Sequence, residues 1–272
     1  MKTNFGKGLL AFSGGKYEQA FIFFEKSYRE NIPPDKHLTL YNMGLSLIFL
    51  EDLVPAEDYF LKALKYLPYH SDSLHWIAYI NFRKGQLSTA QDYYLSALKA
   101  HPRSETSING CIHFFIEQGL NGEEINSFFN KNGVQLKENE NFYLKLADSV
   151  NISIDSNISF SLIGIDPRST MQTSIKNYGC YEPLMVEKIL KHVGKKDIVY
   201  DIGAHIGYYS CIFNSVTESK KVVSLEPDFY SSNLIKRNTN KRGVVVNKFI
   251  GSELGHNTTT LNDLSSMLSL EP

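Results

Sequence analysis

A chain of 272 residues has room for two domains of ordinary size. Apolar residues make up 42% and charged residues 21%, the balance of a soluble globular protein rather than a disordered or membrane-spanning one. A formal net charge of −1 gives no basic field to favour nucleic acid, and the basic pairs Lys220-Lys221, Lys236-Arg237 and Lys241-Arg242 read as solvated helix ends. No stretch approaches the roughly 20 apolar residues of a membrane span. The segment Met1 to Gly8 holds no apolar run long enough for a signal peptide. Cys111, Cys180 and Cys211 stand far apart and fit no metal-ligand spacing, so buried thiols in a reducing compartment are expected. These features point to a cytoplasmic protein with no metal.

The first half repeats itself. Gly8, Gly44 and Ala78 each stand twelve residues before a second small residue, Ala20, Ala56 or Ala90. An aromatic follows four residues later (Phe24, Phe60, Tyr94), and three further on stand Ser27, Ala63 and Ala97. Each unit closes near a proline, Pro33, Pro68 or Pro102, and the period is 36 and then 34 residues. Small residues let two helices approach, the aromatic fills the gap to the next unit, and proline ends the second helix. The turns within the units read Gly14-Gly15-Lys16, Leu50-Glu51-Asp52 and Lys84-Gly85-Gln86.

These residues resemble the tetratricopeptide repeat family over roughly Thr3 to Ser104. The first copy departs with Ser27 and with two extra residues around Pro33-Pro34. A degenerate fourth pair is expected over 104–119 and 122–132, and a capping helix over 137–150, because terminal repeats have one face without a neighbour. The expected organisation is a helical-repeat solenoid over 1–150. The resemblance implies a concave groove for a peptide or protein partner, lined here by Phe5, Leu9, Tyr41, Leu45, Phe49, His75, Tyr79 and Arg83. That groove is apolar and aromatic and lacks the lysines and asparagines that clamp a peptide carboxylate. It reads either as a partner surface or as a spacer whose groove its own capping helix fills. His75 alone reads as a packing or surface residue rather than a ligand.

After Val150 the period changes. Residues 151–162 alternate apolar and polar, the pattern of half-buried strands, with a turn at Asp155-Ser-Asn157. An amphipathic helix is expected over 181–193, with Leu184, Val186, Ile189, Leu190 and Val193 near one face and Gly194 as its stop. Then come a buried strand, Asp197-Ile-Val-Tyr-Asp201, a glycine loop, and a helix over 208–215. A second strand over 221–225 ends in Glu226-Pro227, and a helix over 228–240 leads to a third strand over 243–250. Alternating strands and helices with near-continuous apolar strands predict a parallel sheet covered on both faces, occupying 151–272.

Ligands of such sheets bind at the carboxyl ends of the strands. In Asp201-Ile-Gly-Ala-His-Ile-Gly207, Gly203 permits a sharp turn where a side chain would obstruct a ligand, and Gly207 lets the helix start close to the sheet. The helix start can receive a carboxylate, Asp201 can face an ammonium group, and Glu226, 25 residues on, can accept two ribose hydroxyls. The dinucleotide fingerprint requires glycine where His205 stands, which turns the reading from NAD or FAD toward S-adenosyl-L-methionine.

Tyr181-Glu-Pro183, the run from Val199 to Ser210, Ser224-Leu-Glu-Pro-Asp228 and Arg237-Asn-Thr-Asn240 resemble the FkbM family of methyltransferases in order and spacing. The resemblance covers about Ile158 to the carboxyl terminus. It implies a class I methyltransferase (Rossmann-like) fold and O-methylation of a sugar or natural-product hydroxyl, with a small-molecule or glycan acceptor. It implies that Asp201, Gly203, Ala204, Gly207 and Tyr208 cradle the methionine part and that Glu226, followed by Pro227, holds the ribose. Phe249 or Ile250 would flank the adenine, and Glu182 would reach the cofactor's amino group. His205 stands where the family often has asparagine and reads as a hydrogen-bonding or surface residue. No catalytic residue is assigned. The family's sheet has seven strands and this sequence supplies three, although Thr258-Thr-Thr-Leu-Asn-Asp-Leu264 is similar to the segment before the fourth. The strand over 197–201 is therefore expected to have a bare edge. Two functions follow as expectations: an S-adenosylmethionine-dependent methyltransferase held by its repeats, or a non-catalytic repeat scaffold with a degenerate methyltransferase remnant.

Overall fold

The computed structural model describes residues 3–30, 36–136, 144–251 and 258–269. The proline marks at Pro33 and Pro34, and the first half of the expected capping helix, lie outside the described residues. The described remainder of that helix, 144–147, is a single tight turn that leads into a strand at Val150. The chain divides into two compact units, Met1–Phe114 with Ser127–Leu136, and Phe115–Asn126 with Lys137–Pro272. Among the described residues no helix is long and apolar enough to cross a membrane.

The first unit opens with three helical pairs. They are α1 (Asn4–Ser13) with α2 (Tyr17–Arg29), α3 (Lys36–Phe49) with α4 (Leu53–Tyr66), and α5 (Ser71–Arg83) with α6 (Leu87–Ala100). These are the helix-turn-helix units that the tetratricopeptide resemblance implies. Each pair turns through the same device. Gly15, Glu51 and Gly85 take left-handed φ of +71°, +59° and +73°. The next residue then reaches back five: Lys16 N–H to the Ala11 carbonyl, Asp52 to Leu47 and Gln86 to Asn81, each at 2.9 Å. Those bonds satisfy helix-end carbonyls, and the left-handed residue makes them possible. The small residues do what their spacing predicts. A Cβ on Gly8 would lie 2.5 Å from the Phe24 ring, and one on Gly44 would lie 2.7 Å from the Phe60 ring. Phe24, Phe60 and Tyr94 are fully buried with Ala20, Ala56 and Ala90. The fourth pair is α7 (Glu105–Glu117) and α8 (Gly122–Lys131).

The second unit begins with the expected hairpin, β1 (Val150–Ser153) antiparallel to β2 (Ser159–Leu162). The Asp155 carboxylate shapes its turn by accepting the Asn157 and Ile158 N–H groups at 2.7 and 2.8 Å. The sequence reading passed over α9 (Thr170–Tyr178), although its punctuation is visible. Ser169 caps it by accepting the Gln172 N–H, and Gly179 ends it at a left-handed φ. Helix α10 (Pro183–His192) stops at Val193 rather than Gly194, and its buried face is Val186 and Ile189, leaving Leu184 exposed. Gly194 instead donates its N–H to Asp197.

The main sheet holds β3 (Val199–Ile202), β4 (Val222–Leu225) and β5 (Val244–Val246), parallel, in that spatial order, with β4 central and β3 at an edge. Helices α11 (Tyr208–Val216) and α12 (Phe229–Asn238) complete the crossovers. All four residues of β4 are buried. Val223 and Leu225 pack on Leu264 of α13 (Leu261–Ser269), while Ser224, pointing the other way, meets Ser210 of α11. The strand expected over 243–250 is split. After β5 the side chain of Asn247 donates to the carbonyls of Glu226 and Pro227, both at 2.8 Å. The chain turns aside there, and β6 (Phe249–Ile250) pairs instead with β7 (Thr258–Thr259).

Gly44→Val places methyl groups in the space of the Phe60 ring and is expected to cost about 1–3 kcal/mol by overpacking. Urea unfolding followed by circular dichroism measures it, and an unchanged midpoint would show that the ring contact does not constrain the pair.

Candidate functional site

The loop after β3 is built on alternating left-handed residues. Gly203, His205 and Gly207 have φ of +75°, +50° and +88°. The Gly203 and Ala204 N–H groups both donate to the Leu225 carbonyl, at 2.9 and 3.0 Å, which fastens the loop to the end of β4. A Cβ on Gly203 would meet open space, whereas one on Gly207 would lie 3.3 Å from Ile235 of α12. The closeness that Gly207 permits is thus to a helix rather than to the sheet.

The two carboxylates expected to face a ligand are engaged by the protein. Glu226 is buried, and its oxygens accept the backbone N–H of His205 at 2.8 Å and of Asp228 at 2.9 Å. Asp201 is turned toward α11, where it accepts the Ser210 hydroxyl at 2.5 Å. It thereby supplies the anion that a helix start favours. Burial pushes the Asp201 carboxyl up, the Ser210 bonds oppose that, and the Glu226 charge adds to it. Asp201, expected at the strand end to face an ammonium group, thus directs its carboxylate to the start of α11.

Tyr208, expected beside the methionine part, is engaged within the protein. Its ring is buried, and its hydroxyl donates to the Tyr181 carbonyl at 3.1 Å and accepts the Tyr181 N–H at 2.9 Å. Burial pushes that hydroxyl up to about 12. Glu182 is exposed on left-handed backbone and accepts the Tyr209 hydroxyl. Burial and the Glu182 carboxylate together push the Tyr209 hydroxyl upward. Ala204 is buried, and His205 is exposed. A cavity of about 420 Å³ is lined by Ile202, Ile250, Gly251, Thr260, Leu261 and Asn262. Of the residues proposed from sequence, Ile250 lines it, while Asp201, Glu226 and Glu182 do not. Sequence reasoning missed Ser210, Ser224 and Asn247. A serine inside the apolar run Val222-Val-Ser-Leu225 was the available signal for a buried polar contact. Among the described residues no group of three or more His, Cys, Asp or Glu could hold a metal.

Of the residues expected to line a groove in the repeats, some are exposed and others buried. Phe49 is 44% exposed and Leu9 44% exposed. Phe49 stacks on Tyr17, with ring centroids 4.8 Å apart, and meets Phe12 edge-on at 5.3 Å. Tyr41 is half-buried, and burial first, then the Asp72 charge, pushes its hydroxyl up to about 12. Further along, Arg83 donates to the Tyr79 hydroxyl at 2.9 Å and pairs with Glu51 at 3.1 Å. His75 and Tyr79 are buried, which corrects their placement as groove-lining residues. The reason is α7: a Cβ on Gly110 would lie 2.4 Å from the His75 ring, so the imidazole occupies the space that glycine leaves. Burial lowers the His75 pKa to about 4, and its Nδ1 has no partner among the described residues.

No protein-family model matches the chain. No curated protein matches it. Among solved structures it is similar to the second TPR domain of the human RPAP3 protein, solved with an HSP70 peptide. That likeness has 16% identity and a TM-score of 0.38, covering 42% of this chain and 92% of the other. The first TPR domain of Spaghetti (RPAP3), bound to an HSP90 peptide, matches at 18% identity and a TM-score of 0.39, covering 43% of this chain and 91% of its own. A mutant O-GlcNAc transferase of Thermobaculum terrenum matches at 11% identity and a TM-score of 0.42. It covers 90% of this chain, which spans 41% of the transferase.

A histidine lowered to about 4 by burial makes stability depend on pH with a definite sign. The neutral form is favoured in the folded state, so stability is full above the unfolded value of 6.5 and is lost as pH falls toward 4. The loss between pH 7 and pH 4 should be roughly 3 kcal/mol. Urea titrations across that range should show His75→Leu with a flatter profile than the parent chain, and parallel profiles would assign the pH dependence elsewhere.

Proposed function

We propose that the chain is a non-catalytic interaction scaffold. Its repeats hold a peptide or protein partner, and its second half is a degenerate methyltransferase remnant. The repeat domain is taken to residue 150 and the partial domain from 151. The observation that carries this reading is the engagement of Asp201 and Glu226 by their own loop and helix, so that both carboxylates serve bonds within the protein. The open groove around Leu9 and Phe49 supports the partner-binding half of the proposal. An aromatic or aliphatic side chain of an extended peptide fits there, since exposed aromatics supply large contact area at low entropic cost. A reducing, cytoplasmic location belongs to the same reading, because the three cysteines are buried free thiols. Peptides selected on the full chain from a displayed library are expected to lose at least tenfold in affinity with Phe49→Asp. The exposed Tyr69→Asp should leave them unchanged. Equal loss in both variants, or no enriched sequence, would count against the scaffold.

A second reading is favoured by Gly203, where open space adjoins a left-handed turn, and by the cavity at Ile202 and Ile250. In it the second half binds S-adenosyl-L-methionine, with Gly203, Ala204, Gly207, Glu226, Pro227 and Ile250 around the cofactor, which supplies an electrophilic methyl group when bound. The acceptor would be a hydroxyl of a sugar or natural product. The fit is partial, because ribose hydroxyls would share Glu226 with the His205 and Asp228 N–H groups, and Asp201 faces α11. Calorimetry with S-adenosyl-L-methionine tests it. Saturable heat lost in Gly203→Arg supports cofactor binding, and no heat from folded protein removes this reading while leaving the scaffold standing.

A further inference from the structure

A basic pair precedes each strand of the three-stranded sheet: Lys195-Lys196 before β3, Lys220-Lys221 before β4, and Lys241-Arg242 before β5. The strands are parallel, so the three pairs lie at one end of the sheet, opposite the Gly203 loop. Adjacent strands are about 4.8 Å apart, which spreads the pairs over roughly 10 Å. Backbone bonds join the turns that carry them. The Glu218 N–H donates to the Lys195 carbonyl at 2.8 Å, and the Lys220 N–H donates to the Arg242 carbonyl at 2.9 Å. Five of the six side chains are exposed and Lys221 is half-buried. Two carboxylates, Asp197 and Glu218, stand among them, and Asp197 accepts the Gly194 N–H. Lys195, Lys196, Lys221, Lys241 and Arg242 form no ion pair among the described residues. Lys220 and Lys241 hold left-handed φ of +66° and +58°, positions that favour glycine. On a chain of net charge −1 this is a concentrated positive field.

We propose that this end of the sheet is a docking surface for an acidic polypeptide segment. The three turns carry no aromatic side chain on which a nucleic-acid base could stack. The adjoining exposed apolar residue is Ile198 at 51%, too little for the second signal that stable membrane anchoring needs. Five of the six cations are lysines, flexible point charges that meet carboxylates without a fixed fork geometry. In an extended peptide, alternate side chains repeat every ~7 Å, so a short run of Asp or Glu spans the cluster.

The test is fluorescence anisotropy of a labelled decaglutamate peptide with the full chain. Saturable binding at 50 mM salt is expected, weaker at 300 mM, and at least tenfold weaker in Lys195→Glu/Lys196→Glu/Lys241→Glu. The charge-matched Lys16→Glu/Lys65→Glu/Lys99→Glu should bind as the parent does. If the first triple variant melts early, the same three positions changed to Gln should still weaken binding at least threefold. The proposal is overturned by no saturable binding at 50 mM salt or by equal loss in both triple variants. It is also overturned if oligouridylate or phosphatidylserine vesicles bind more tightly than the peptide through the same three lysines.

Discussion

A ring that occupies the place of a missing side chain is the constraint on which the repeat unit rests. Phe24 lies where a Cβ of Gly8 would stand, and Phe60 where one of Gly44 would stand. Close-packed interiors leave no slack for a methyl group at such a contact. The second helix of each pair is therefore held at one distance from the first. Everything downstream inherits that distance, including which first-helix residues remain exposed. In the third copy alanine replaces glycine, and Tyr94 is still fully buried. The turn between the helices adds a second constraint, one left-handed residue per pair. Glycine meets it in three of the four pairs, at Gly15, Gly85 and Gly119, and Glu51 in the other, where it then pairs with Arg83.

In the second unit the organising element is β4. Its four residues are buried on both faces, so each face demands its own partner. The Val223 and Leu225 face takes Leu264, and the Ser224 face takes Ser210 and, through it, Asp201. A carboxylate at that depth is costly unless its charge is met by donors. The Ser210 hydroxyl meets it. Glu226 solves the same problem at the end of β4 with two backbone N–H groups. The residues that look most like ligand-binding groups thus hold the loop in its shape.

The two candidate partner surfaces rest on different physics. Around Phe49 the surface is aromatic, and binding there would come from desolvation and shape. At the amino end of the sheet it is cationic, and binding there would be long-ranged, salt-sensitive and tolerant of register.

Local and periodic features were legible in the sequence. The repeat positions, the three-residue turns, the hairpin at Asp155 and the order of strands and helices all depend on residues close together in the chain, where propensity and spacing decide. Helix α9 was not read, although Ser169 and Gly179 mark its ends, because it buries only Ile175. What only the tertiary structure decided depends on distant neighbours. Gly110 buries His75, Asn247 diverts the third strand, and Ser210 draws Asp201 to a helix start. Two basic pairs that read as separate solvated ends, Lys220-Lys221 and Lys241-Arg242, converge with Lys195-Lys196 because parallel strands begin at the same edge. The sequence by itself determined the repeats and the glycine loop, since backbone freedom and periodicity are local. Side-chain direction at the site was left to packing, because a carboxylate faces whichever donor the folded chain brings within reach.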